Sequence, residues 1–147
     1  MTDDVGAVQA QDQLEIIQAT HTYALGLDRF EPALALSAFS TDAVWDATAV
    51  GLGRLEGHPQ ILDFFENDAK AIERQFHVLT NHIVERIDDD HARGTNYVYS
   101  EGETVAGAKF KAIALNEDTY VRTAEGWRIS SRVISPLTTP QMEGFDV

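Results

Sequence analysis

The stretch 76-FHVLTNHIVERI-87 decides the fold, because apolar spacing changes there from helical to alternating. Strand alternation sends His77, Leu79, Asn81 and Ile83 to one face. It sends Phe76, Val78, Thr80, His82 and Val84 to the other, so the two histidines converge only if a bulge separates them. Downstream, 91-HARGTNYVYSE-101, 107-GAKFKAIALNEDTYVRT-123 and 126-GWRISSRVI-134 read as three further strands. Their links are short and polar (DDDH, ETVAG, AEG), which favours an antiparallel meander over parallel crossovers.

Upstream the period is helical. A first helix is expected from about Asp12 to Leu27, with Leu14, Ile17, His21, Ala24 and Leu25 on one stripe. Ile16, Tyr23 and Leu27 widen that stripe. Pro32 suits a first helical position and starts a second helix ending near Ser40. The segment 43-AVWDATAV-50 reads as a short strand, and Gly51 and Gly53 as a loop. A third helix opens at 57-GHP-59 and buries Ile61, Leu62, Phe65, Ala69 and Ile72. The expectation is an α+β fold. Three N-terminal helices pack on a strongly curved, mostly antiparallel sheet and form a cone-shaped α+β barrel, whose mouth suits a small-molecule pocket. One domain spans residues 1–147, with an ordered core over about 11–136 and frayed ends at 1–9 and in 138-TTPQMEGFDV-147.

Composition narrows the function classes. Twenty-four acidic against eleven basic residues give a net charge of −13, which repels phosphates and anionic lipid. Nucleic acid and membrane are therefore not expected partners. The chain has no cysteine, which removes disulfides, thiolate nucleophiles and cysteine metal sites. The acidic start MTDDVGAVQAQDQ is unlike a signal peptide, and a cytoplasmic location is expected. Phosphate-binding glycine loops, the G-x-S-x-G elbow and H-E-x-x-H are missing, so no metal or cofactor is expected.

Within 23-YALGLDRFEP-32, Asp28 falls on the helical stripe at the helix's C-terminal end. The helix dipole and apolar neighbours both disfavour a charge there, which suits a carboxylate to proton transfer. The same residue opens 28-DRFE-31, which has capping-box spacing, although Pro32 hands the cap to Glu31. Both readings stand on spacing. His77 is either a hydrogen-bonded core histidine or, with Asp28 fixing its tautomer, a general base. Tyr23 either packs in the apolar arc or donates to a substrate oxygen. Asn81 shares the expected His77 face. Trp45, Trp127, Phe64 and Phe65 are core candidates first and pocket walls second.

Five stations in order carry a resemblance: Y-x4-D-R in the first helix, FSTDAVWD, GRLEGHPQI, FHVLTNHIVERIDDDHARG and EDTYVRTAEGWRISSR. Over about Gln11 to Pro136 the chain resembles the SnoaL-like branch of the nuclear transport factor 2-like superfamily. That branch includes scytalone dehydratase, bile acid 7α-dehydratase and hexachlorocyclohexane dehydrochlorinase. The resemblance implies that Asp28 and His77 form a proton-abstracting dyad and that Tyr23 helps hold a substrate oxygen. It also implies a late-strand arginine, better matched by Arg122 than by Arg132. Trp45 and Asn81 would line the pocket, with Asn116 standing where many relatives carry tyrosine. The implied function is a cofactor-independent dehydratase or other lyase acting on a small hydrophobic, polycyclic or steroid-like molecule. An isomerase using the same base and a non-catalytic binding or assembly module are the alternatives. The resemblance further implies a homo-oligomer, a trimer before a dimer.

Overall fold

A computed structural model describes residues 7–145. Three α-helices come first: α1 (Ala10–Asp28), α2 (Pro32–Leu36) and, after two short strands, α3 (Gly57–Ala71). Those strands are β1 (Phe39–Ala47) and β2 (Gly53–Glu56), joined through a single 3-10 turn at Thr48–Val50. Then follow β3 (Ile72–Arg86), β4 (His91–Thr104), β5 (Lys109–Thr123), β6 (Gly126–Pro136) and β7 (Gln141–Glu143). The expected meander is present: β3, β4, β5 and β6 are neighbours in antiparallel order. The fold class is α+β with three helices on a curved, mixed, mostly antiparallel sheet, because β1 joins β6 in parallel. The sheet runs β2-β1-β6-β5-β4-β3 and stays open, so the barrel is not closed.

Several local expectations are corrected. The second helix stops at Leu36 and the chain is extended by Phe39, earlier than Ala43. The glycine loop holds an extra strand, β2, which pairs Leu55 with Trp45. The tail over residues 138–145 carries β7, which pairs Met142 with Phe110 on the part of β5 that β6 does not reach. The expected fraying of residues 1–6, 146 and 147 lies outside the described residues.

The buried stripe of α1 is also rotated. Leu14 and Leu25 are exposed, while Ile16, Ala19, Thr20, Tyr23, Ala24, Gly26 and Leu27 are buried. Small residues explain the rotation, since they let the helix approach its neighbours closely. A Cβ on Gly26 would stand 2.3 Å from the Ala35 backbone nitrogen, so only glycine lets α2 fold back so tightly. Phe30 (φ 56°) then takes the left-handed position of a Schellman turn. Its N–H donates to Leu27 and that of Glu31 to Gly26, at 3.1 and 2.8 Å. Backbone bonds thus close the end of α1 and leave the Asp28 side chain free of capping. No helix among the described residues is long and apolar enough to cross a membrane.

Candidate active site

A bulge in β3 sets which side chains face the helices. The β3–β4 register shifts between Thr80 and Ile83, and Asn81 there adopts φ 57°. Gly94 on β4 lies against the bulge, where a Cβ would meet the Ile83 carbonyl oxygen at 2.3 Å. The strict alternation expected from sequence therefore breaks. Gln75, His77 and Leu79 face inward before the bulge, and His82, Val84 and Arg86 after it. Asn81 is turned outward and exposed, which removes it from the pocket lining. The signals were an αL-tolerant Asn and a glycine inside the neighbouring strand.

Asp28 and His77 meet. The His77 backbone N–H donates to Asp28 Oδ2 at 3.0 Å, and Nδ1 lies 2.6 Å from Oδ1. The two side chains keep 22% and 15% of their exposure, so the pair sits at the edge of the interior. With Nδ1–H directed to the carboxylate, the imidazole presents Nε2 as a lone-pair base. No described residue occupies that nitrogen. The cap reading of Asp28 is set aside: Glu31 is the N-cap of α2, and both Asp28 oxygens serve His77.

Tyr23 stands beside the dyad, its ring centroid 6.5 Å from that of His77. It packs edge-on to Phe39 and tilted against Phe65, and its hydroxyl accepts from Trp45 Nε1 at 3.3 Å. That bond leaves the phenolic hydrogen available to a substrate oxygen. Burial raises the Tyr23 pKa against the opposing pull of Arg132, so the phenol is neutral and a donor at neutral pH. Trp45 is buried at 3% exposure and packs tilted against Phe64, with ring centroids 5.0 Å apart.

The arginine assignment reverses. Arg122 lies at the surface, where it pairs with Asp12 at 3.1 Å and covers the Trp127 ring at 4.7 Å. Arg132 is fully buried and its guanidinium lies 4.9 Å over the Tyr23 ring. Two 2.8 Å bonds tie it to Asp118. Burial works against its charge, but the Asp118 carboxylate outweighs burial and holds the Arg132 pKa above the ordinary value. The Y-x-R pattern misled because Arg122 and Arg132 sit on different strands, and only packing decides which one faces inward.

Asn116 is buried and belongs to the same network, donating to Asn96 at 2.8 Å. Asn96 and Tyr120 in turn donate to Asp118 at 3.0 and 2.8 Å. Two buried atoms in this network have no partner among the described residues: Asn116 Oδ1, an acceptor, and Arg132 Nη1, a donor. His82, turned inward by the bulge, contacts Thr20 Oγ1 at 3.1 Å and meets the His21 ring edge-on at 5.3 Å. Sequence reasoning also passed over Asp68 of α3, which accepts from Gln75 Nε2 at 2.9 Å. Its signal was phase, since Ile61, Phe65 and Asp68 share one helical stripe. A cleft of about 760 Å³ lies where β3 begins, and Gln75, Gly102, Phe110 and Met142 are among its lining.

An Asp-oriented histidine, a neutral phenol and a buried arginine on an open α+β half-barrel make a site suited to proton abstraction. The chain belongs to the SnoaL-like domain family, whose profile matches residues 8–133. It is similar to the structure of a provisionally named aromatic ring hydroxylase from Novosphingobium aromaticivorans, at 26% identity and TM-score 0.89, covering 92% of this chain and 96% of that one. It shares its fold with a provisionally named scytalone dehydratase from the same organism, at 15% identity and TM-score 0.80, covering 93% and 89%. The hexachlorocyclohexane dehydrochlorinase LinA-type3 from Novosphingobium barchaimii also shares the fold, at 22% identity and TM-score 0.73, covering 95% and 98%. No curated protein sequence matches the chain significantly.

Proposed function

We propose that the protein is a cofactor-independent lyase of the cytoplasm that eliminates water or a similar group from a small hydrophobic, polycyclic or steroid-like substrate. The observation that carries this reading is the 2.6 Å Asp28–His77 bond, which fixes the imidazole and leaves Nε2 without a protein partner. Nε2 takes a proton from carbon beside a carbonyl, and the departing group leaves as the double bond forms. Tyr23 donates to the substrate oxygen, and the Arg132 charge beneath its ring favours negative charge there. The scytalone dehydratase-like and dehydrochlorinase structures add support at the level of scaffold.

The test is turnover of a panel of β-hydroxy and β-chloro ketones, with products weighed by mass spectrometry. Loss of water or acid is expected, with His77→Ala slower by roughly 10²–10⁴-fold. Product of unchanged mass would indicate an isomerase built on the same abstraction. Equal rates in both proteins would remove His77 from the chemistry. A non-catalytic ligand-binding or assembly module draws on one observation, that Gln75 and Phe110 line the 760 Å³ cleft while His77 does not.

The outer sheet face supports self-association. Val78, Tyr99 and Ile113 form one row across it, beside Tyr97 and Val133, and this apolar surface is partly exposed. A homo-oligomer, a trimer before a dimer, is the expected assembly. Sedimentation equilibrium tests it, and a monomer at micromolar concentration would contradict it.

A further inference from the structure

Asp68 places a second carboxyl group beside the dyad, from a different element. It shares the inward stripe of α3 with Ile61 and Phe65, which are 0% and 1% exposed. The Gln75 amide nitrogen that donates to Asp68 Oδ2 at 2.9 Å also donates to the Leu27 carbonyl at 3.0 Å. Two acceptors on one nitrogen stand about 5 Å apart, so Asp68 lies against the last turn of α1, next to Asp28. Gln75 shares the inward face of β3 with His77, two positions before it, and lines the 760 Å³ cleft. Gln75 thus borders the cleft on one side and the Asp68 carboxyl group on the other.

The surroundings of Asp68 move its ionisation upward from the ordinary aspartate range. From α1 it faces the negative end of the helix, the Asp28 carboxylate and the Tyr23 phenol; from β3 it faces Gln75 and His77. Burial is the largest influence and raises its pKa, and Asp28 adds to the rise. The Gln75 bond and His77 oppose it without reversing it.

We propose that Asp68 is the acid that accompanies the His77 base, delivering its carboxyl proton to the oxygen that leaves the substrate. This rests on the elimination reading and adds to it an acid that serves hydroxyl leaving groups. His77 Nε2 takes the proton from carbon, and the C–H electron pair becomes the second bond of C=C. The C–O bond breaks, and the oxygen keeps that pair, gains the Asp68 proton and departs as water. One proton then returns from the His77 imidazolium to the Asp68 carboxylate through solvent, which resets the site. Chloride departs without a proton, so a halide substrate would gain nothing from Asp68.

Two measurements test the proposal. Carboxyl ¹³C NMR titration of the whole protein, with Asp68 assigned by loss of its signal in Asp68→Asn, needs no substrate. Asp68 should titrate above the ordinary aspartate value of about 3.9, and Asp28→Asn should lower it. The second is the rate ratio between matched aryl β-hydroxy and β-chloro ketones. In Asp68→Asn that ratio should fall by roughly 10²-fold, whereas His77→Ala should slow both ketones together. An Asp68 that ionises in the ordinary range, or an unchanged ratio in Asp68→Asn, would overturn the proposal. Failure of the elimination reading itself shows separately, in the His77→Ala comparison.

Discussion

Asp28 holds His77 at two points, its carboxylate accepting from the backbone N–H at 3.0 Å and facing Nδ1 at 2.6 Å. One side chain thus fixes both the backbone of β3 at His77 and how the imidazole is turned. In the proposed mechanism Asp28→Asn keeps the shape but loses the charge that favours the imidazolium. Turnover should fall by roughly 10²-fold with little change in KM, because the interaction matters most in the transition state. Steady-state kinetics on whichever ketone the wild type turns over checks this.

The β3 bulge makes a prediction about backbone shape. Asn81 is exposed and sits at φ 57°, so its side chain contributes little packing while its backbone is demanding. Asn81→Gly should be close to neutral. Asn81→Val, β-branched and ill-suited to that conformation, should cost about 1–2 kcal/mol in urea unfolding. If the bulge shifts in the valine variant, the His82 contact with Thr20 should be lost from NMR spectra.

The two arginines should behave differently. Arg132→Met leaves the Asp118 carboxylate buried without its partner, and a loss of about 3–5 kcal/mol is expected. Arg122→Ala removes a partly exposed pair with Asp12, and a change of about 1 kcal/mol or less is expected. Chemical denaturation of both variants gives the comparison. Similar losses would mean that the buried network does not carry the weight assigned to it.

His82 gives a pH dependence of known sign. Burial lowers its pKa below the ordinary 6.5, with His21 and Arg132 adding to the fall and Asp118 opposing it. The unfolded chain then binds the proton more readily than the fold does. Stability should be fully present above about pH 6.5 and decline as pH falls towards the lowered folded-state value. In His82→Gln that part of the slope should vanish, which thermal melts of the two proteins between pH 7 and 5 would show.

The sheet was legible because its alternation is long and its turns are short. Asp28 stood out because a carboxylate fell on the apolar stripe at the end of α1. Its pairing with His77 came from the family resemblance and not from spacing, which left both residues with a structural reading as well. What stayed hidden depended on phase. The α1 stripe was centred on Leu14 and Leu25, although Ala19, Thr20 and Gly26 make the buried face by allowing close approach. Asn81 was placed with His77 because alternation was carried across a bulge that only Asn81 itself and Gly94 announce. Asp68 was overlooked because a carboxylate on an amphipathic helix ordinarily faces water. The same phase reasoning that singled out Asp28 applied to it.

The most direct test of the dyad is ¹⁵N NMR of the His77 ring in the wild-type protein at neutral to mildly alkaline pH. In its neutral form the imidazole should carry its proton on Nδ1, facing Asp28, with Nε2 bare. That preference should weaken in Asp28→Asn. A wild-type His77 with its proton on Nε2 would contradict the assignment of that nitrogen as the base.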